Sequence, residues 1–121
     1  MNAKKNKKEK ENMQVRRKYP RISYESRATF KGSKVWVVSK TKDLSEGGIY
    51  IKPLPPENED YEVEIEFSIP NKDFPVTAKG VVVWREDDTE QAGGGIRFTK
   101  LYRMDRALIR EHIKKNKKYS I

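Results

Sequence analysis

The sequence predicts an all-β domain, six or seven short strands closed into an antiparallel barrel, followed by a C-terminal helix. Three observations lead there. From Tyr61 to Ile69 apolar and polar residues alternate without a break, the two-residue period of a strand with one buried and one wet face. Gly32-Ser33, Gly47-Gly48, Pro53 to Pro56 and the turn-rich stretch from Glu86 to Gly94 cut the rest into short extended segments, as expected of strands joined by turns. Only from residue 100 onward does the apolar period become helical.

Taken in chain order, residues 1–15 have few apolar side chains and read as a disordered basic leader. The domain is expected over 16–118, with the barrel at about 22–100 and the helix at about 101–118. Ala28 and Phe30, then Val35 and Val37, alternate with polar residues around a Gly32-Ser33 turn, which predicts a hairpin. Gly47-Gly48 lead into Ile49 to Lys52, and Pro53, Pro55 and Pro56 end that strand. The alternation of Tyr61, Val63, Ile65, Phe67 and Ile69 gives a strand with an acidic outer face of Glu62, Glu64 and Glu66. Val76 to Trp84 and Gly95 to Phe98 supply the last strands. Leu101, Met104, Leu108 and His112 fall at helical spacing, widened by Ile109 and Ile113, and predict a helix packed on the barrel. The lysines from Lys114 to Lys118 suit the negative pole of that helix.

Composition bounds the possible functions. A chain of 121 residues with 35% hydrophobic residues and mean hydropathy −0.96 supports one small core plus tails. With no cysteine, disulfides and thiolate metal sites are excluded, and a reducing cytoplasm is the expected location. The basic N-terminus has no apolar run behind it and no segment reaches membrane-spanning length, so neither a secretory signal nor an anchor is expected. The net charge of +9 is concentrated at the ends: eight Lys/Arg against two Glu in residues 1–18, and nine against two acids in 97–121. Residues 19–96 hold 10 basic and 14 acidic groups. A polynucleotide groove would place its cations across the barrel; this distribution favours a small anionic ligand met by a basic arm.

Two stretches carry the chemistry. Arg16-Arg17-Lys18-Tyr19-Pro20-Arg21 sets Arg17 and Arg21 four apart with Arg16 in front. Arginine forks bind phosphate bidentately, reach guanine O6 and N7, and stack on bases. Pro20 restricts Tyr19 to extended geometry, so the arm suits a clamp better than a helix. Asp43-Leu44-Ser45-Glu46-Gly47-Gly48 then offers a carboxylate acceptor for guanine N–H groups, a hydroxyl, and a glycine that permits close backbone approach or positive φ. Taken alone, the second stretch is equally a serine turn before a strand, and the first a solvated basic run.

Together, in this order, with Gly80 to Trp84 and Gly94 to Phe98 in later strands, the two stretches resemble the PilZ domain, a bacterial receptor for cyclic di-GMP. The resemblance covers residues from about 16 to 113. It implies a six-stranded antiparallel PilZ-like β-barrel with a C-terminal α-helix and a flexible basic N-terminal arm. It also implies a cyclic di-GMP site made by Arg17 and Arg21 of an RxxxR pair, by Asp43, Ser45 and Gly48 of a DxSxxG motif, and by Arg16 as an added donor. An arginine ahead of the pair further implies two intercalated cyclic di-GMP molecules per site. The implied role is a receptor or adaptor that changes conformation and signals to a partner protein; the alternative is a PilZ-like protein-protein adaptor that takes no nucleotide.

Other side chains receive structural readings. The only histidine, His112, falls on the apolar side of the helix, no P-loop is present, and Gly93-Gly94-Gly95 lacks the lysine a phosphate loop needs; an enzyme is therefore not expected, nor a metal or cofactor. Trp36 and Trp84 read as core or rim residues, and Arg85 and Arg97 as solvated or ion-paired wall residues.

Overall fold

The computed structural model describes residues 19–56, 61–70 and 72–117. Among the described residues seven strands and one helix follow in order: β1 (Arg21–Ser23), β2 (Arg27–Lys31), β3 (Trp36–Ser45), β4 (Gly48–Lys52), β5 (Glu62–Phe67), β6 (Val76–Arg85), β7 (Gly94–Lys100) and α1 (Arg103–Lys117). All pairings are antiparallel, and the order β3-β2-β5-β6-β7-β4 closes when β4 returns to β3. The result is a six-stranded barrel. Closure removes most of the strand edges that a sheet of this size would otherwise expose.

The length of β3 makes the ring possible. Its first half pairs with β2, from Trp36 opposite Lys31 to Lys40 opposite Arg27, and its second half pairs with β4, from Lys40 opposite Lys52 to Leu44 opposite Ile49. A bulge between Thr41 and Asp43 bends the strand between the two partners. The seventh strand, β1, is a three-residue clasp on the end of β3, with Arg21 opposite Ser45 and Ser23 opposite Asp43. It was not expected. The arm anticipated over residues 16–21 therefore ends inside a strand at Arg21, while Arg16, Arg17 and the leader lie outside the described residues.

The inward faces of the strands fill the barrel. Ala28, Phe30, Val63, Ile65, Phe67, Val76 and Ala78 are buried, each large side chain contributing about 1.5–3 kcal/mol of transfer free energy. The rings of Phe67 and Phe98 stack at 6.1 Å between centroids. On β5 the acidic face points outward as the alternation predicts, with Lys31 from β2 reaching Glu64 at 3.3 Å and Glu66 at 3.8 Å.

Two features of the core depart from the sequence expectation. On β3 the apolar members of the predicted face give way to hydroxyls: Val35 is exposed and Val37 half-buried, whereas Ser39 and Thr41 are buried. Their hydroxyls donate to Pro53 O at 2.6 Å and Tyr24 O at 2.5 Å, which removes the cost of burying them. In α1 the packed stripe runs through Asp105, Ile109 and Ile113, with Leu101, Leu108 and His112 half-buried beside it. Met104, expected on that stripe, is 76% exposed. A carboxylate takes the buried place in the first turn because Lys72, from the loop before β6, pairs with Asp105 at 3.4 Å, and because a helix N-terminus favours negative charge.

The helix lies against β1 and β3. His112 meets the Tyr24 ring edge-on at 5.2 Å. Burial, aided by nearby Lys115, holds its pKa below the ordinary histidine value.

Candidate functional site

The end of β3, the turn after it and the clasp β1 bring together most of the predicted site residues within the described chain. Strand register sets Arg21 opposite Ser45, and the Arg21 guanidinium lies 3.6 Å from the Asp43 carboxylate. Asp43 in turn stands opposite Tyr50 of β4. Both members of the ion pair remain partly open to solvent, with side chains 41% and 24% exposed, so the pair is reachable and screened.

Ser45 builds the turn. Its hydroxyl oxygen accepts from the N–H of Gly47 and of Gly48, both at 3.1 Å, the serine turn that the motif allows. Gly48 is required by proximity: a Cβ there would lie 2.4 Å from the carbonyl oxygen of Ile96 on β7. No described glycine has positive φ, so of the two reasons anticipated for glycine at 48, close approach is the one that operates. Gly47 O accepts from Phe98 N–H at 2.8 Å, tying the turn to β7.

Four side chains that were not predicted as site residues, Glu46, Arg110, Arg106 and Tyr19, complete the surroundings. Glu46, at the tip of the turn, is buried, and its Oε1 accepts from Nε and Nη2 of Arg110 at 3.0 and 2.9 Å. Arg106, one helical turn earlier, sits over the Tyr19 ring at 5.9 Å and donates to its hydroxyl at 3.4 Å. The Tyr19 ring in turn lies 2.8 Å from where a Gly47 Cβ would be. The signal that could have revealed these residues is the spacing of Arg103, Arg106 and Arg110, three and four apart on one helix face. Arg97 is exposed and stands opposite Gly48 in the β4–β7 register, without an ion pair to any described residue.

The far wall is a polar network. Glu86 accepts from the Tyr50 hydroxyl, from Gly93 N–H at 2.7 Å and from Lys52 at 3.0 Å. The Tyr50 bond is the chief reason its carboxyl pKa is held down to about 2, and the same bond, with burial and the Glu86 and Asp43 charges, pushes the Tyr50 phenol up to about 12. Trp84 packs on Tyr50 at 5.0 Å and covers Gly95. Arg85 is half-buried and has no ion pair with a described residue. It donates to the carbonyls of Leu54, Asp87 and Thr89, holding the β6–β7 connection. Trp36 is a rim residue, far from the turn along β3.

An arginine and a partly open carboxylate on adjacent strands, beside a tight serine-glycine turn flanked by helix guanidinia, suit a planar ligand carrying phosphate and a base edge. The family model described as PilZ domain matches residues 15–115. The chain belongs to the PilZ domain family. Among solved structures, the Bacillus subtilis inhibitor of motility MotI/DgrA superposes with a TM-score of 0.71 at 16% identity, over 88% of this chain and 54% of that one. Borreliella burgdorferi PlzA, in complex with c-di-GMP, gives a TM-score of 0.60 at 18% identity, over 84% of this chain and 42% of that one. The PilZ domain of Escherichia coli YcgR, also with c-di-GMP, gives 0.54 at 18% identity, over 88% of this chain and 99% of that domain. The chain thus spans about half the length of MotI/DgrA and less than half of PlzA, and nearly all of the YcgR domain. No curated protein sequence matches it. Among the described residues of this PilZ domain no helix is long and apolar enough to cross a membrane, and no cluster of three or more side chains could hold a metal ion.

Proposed function

We propose that this PilZ domain is a receptor for cyclic di-GMP, which it binds at the end of β3. Arg21 takes phosphate or the guanine O6/N7 edge, Asp43 accepts from guanine N–H groups, and the Ser45–Gly48 turn lets the ligand approach the backbone. Arg17 completes the pair with Arg21, and Arg16 adds a further donor that favours two intercalated ligand molecules. The observation that carries this reading is the approach of Arg21 to Asp43 at 3.6 Å across the β1–β3 register, in a chain similar to two proteins solved with c-di-GMP. It is a non-catalytic role.

Binding acts on the chain through β1. A ligand that bridges Arg17 and Arg21 to Asp43 fixes the segment between them, and ordering of a segment on ligand binding is a means of presenting a surface to a partner protein. The second reading, an adaptor that takes no nucleotide, draws support from the same ion pair, since Arg21 and Asp43 each partly satisfy the group that the nucleotide would engage.

Calorimetric titration with cyclic di-GMP, beside GTP, cyclic di-AMP and the Arg17→Ala/Arg21→Ala variant, separates the two. Selective heat that is lost in the variant is expected, with a ligand-to-protein ratio near two and slowed amide exchange between residues 16 and 21. Absence of binding up to about 100 μM ligand, a free energy weaker than roughly −5.5 kcal/mol, leaves the adaptor.

A further inference from the structure

Beside Asp43 and Tyr50, one step along their strands, a second row of outward-facing residues crosses the site. Arg21 stands opposite Ser45 at its β1 end, Gly48 stands opposite Arg97, and Arg97 stands opposite Val81 of β6. The Ser45 hydroxyl is committed to the N–H groups of Gly47 and Gly48, and Gly48 has no side chain. The first side chain met on the β7 side of the turn is therefore that of Arg97. Its neighbours Ile96 and Phe98 are buried, so strand alternation turns Arg97 outward, and it is exposed. Its root is fixed against the turn: Phe98 N–H donates to Gly47 O at 2.8 Å, and the Arg97 Cα lies 3.4 Å from where a Gly48 Cβ would be.

The carboxylates around this row are already engaged. Asp43 pairs with Arg21, Glu46 with Arg110, and Glu86 with Lys52. Glu62, opposite Val81 at the far end of the row, accepts from the Thr99 hydroxyl at 2.6 Å. Arg97 has no ion pair with a described residue. Each of those three pairs is neutral in sum, whereas cyclic di-GMP brings two phosphate charges. An arginine in water costs nothing, and many exposed arginines are no more than that. Arg97 differs by its place: a ligand close enough to touch the Gly48 backbone lies within reach of its fork of donors.

We infer that Arg97 is a further binding residue of the nucleotide site, an inference that rests on the cyclic di-GMP receptor function proposed for this chain. Its guanidinium takes a phosphate of the ligand on the β7 side of the turn, while Arg21 and Asp43 hold the ligand on the β1 side. Cyclic di-GMP then lies astride the Ser45–Gly48 turn, held by the barrel wall as well as by the arm.

Calorimetry with cyclic di-GMP on the full chain and three variants tests this contact, with the thermal midpoint of each free protein as a control for folding. Arg97→Ala is expected to weaken binding by about tenfold or more, the loss of a charge-assisted bidentate contact, with its midpoint unchanged. Arg97→Lys, which keeps the charge but not the fork, is expected to recover only part of the loss. Lys100→Ala removes an exposed cation of the same strand that stands opposite Lys79, away from the turn, and is expected to leave the affinity as it is. On ¹⁵N-labelled protein the Arg97 Nε–Hε signal, assigned by its absence from Arg97→Lys, should shift during the titration. Equal affinity of Arg97→Ala and the natural protein overturns the inference and leaves the receptor in place. So does an equal loss in Lys100→Ala, which would make the effect one of overall charge. A natural protein that binds no cyclic di-GMP removes the receptor and this contact together.

Discussion

At the level of single residues the turn between β3 and β4 is governed by two glycines with different neighbours. A methyl group at 48 meets backbone, the Ile96 carbonyl at 2.4 Å, whereas one at 47 meets the edge of the Tyr19 ring at 2.8 Å. Backbone in a closed barrel yields little, while a tyrosine ring can rotate. Gly48→Ala is therefore expected to destabilise by about 1–3 kcal/mol, as overpacking does, and Gly47→Ala by clearly less, measured as the shift in thermal midpoint. Equal shifts would mean that β7 moves aside. Nearby, Glu86 has a pKa held down to about 2, chiefly by the Tyr50 hydroxyl and then by Gly93 N–H and Lys52. A carboxyl whose folded pKa is depressed stabilises the fold above its ordinary value near 4.5 and loses that contribution as the pH falls toward about 2. The stability advantage of the natural protein over Glu86→Gln should therefore be flat at neutral pH and shrink between those limits. Denaturant melts at a series of pH values measure it, and an advantage that grows on acidification would contradict the assignment.

Between elements, the contact that matters most for the site is the one from α1 to the turn. Arg110 is the ion-pair partner of a carboxylate, Glu46, that is 7% exposed, so Arg110→Ala leaves a buried charge behind. The thermal midpoint should fall, and Glu46→Gln/Arg110→Ala should recover part of the loss because no charge is stranded; no recovery would mean that the stem of Arg110 packs and its charge is incidental. This ion pair also marks the boundary of what the sequence made legible. The Asp43–Gly48 motif could be read because its serine turn, strand entry and close glycine are local. Glu46 and Arg110 are 64 positions apart, and no local period announces their meeting. The same division holds for the fold. Strict alternation on β5 disclosed both faces, whereas Ser39 and Thr41 are polar residues whose burial depends on the carbonyls of Pro53 and Tyr24. In α1 the apolar count suggested a stripe including Met104, but Lys72 from a distant loop turned Asp105 inward instead. The three-residue β1 is too short to show a period and exists because β3 outruns β2.

For the molecule as a whole, the division of charge argues which anion the domain meets. The +9 net charge resides at the two ends, while residues 19–96 hold 14 acids against 10 bases, and the outer face of β5 is acidic. A polynucleotide lying across such a barrel would meet carboxylates, and only the terminal segments would neutralise phosphates. A cyclic dinucleotide presents two phosphates, small enough to be met by Arg21 and the arginines that precede it while the acidic wall stays in water. The two cases differ in salt dependence. A protein that neutralises 6–10 phosphates of a polynucleotide loses about 10³–10⁵ in affinity between 50 and 200 mM salt, whereas a ring with two phosphates carries no condensed counterions to release and should lose no more than about tenfold through ordinary screening. Calorimetry with cyclic di-GMP across that salt range is expected to show the shallow dependence, and a short duplex or single strand is expected to bind only at the low-salt end. Tight duplex binding with a steep slope that persists at 200 mM would instead make the basic ends a nucleic-acid grip and move the function away from β3.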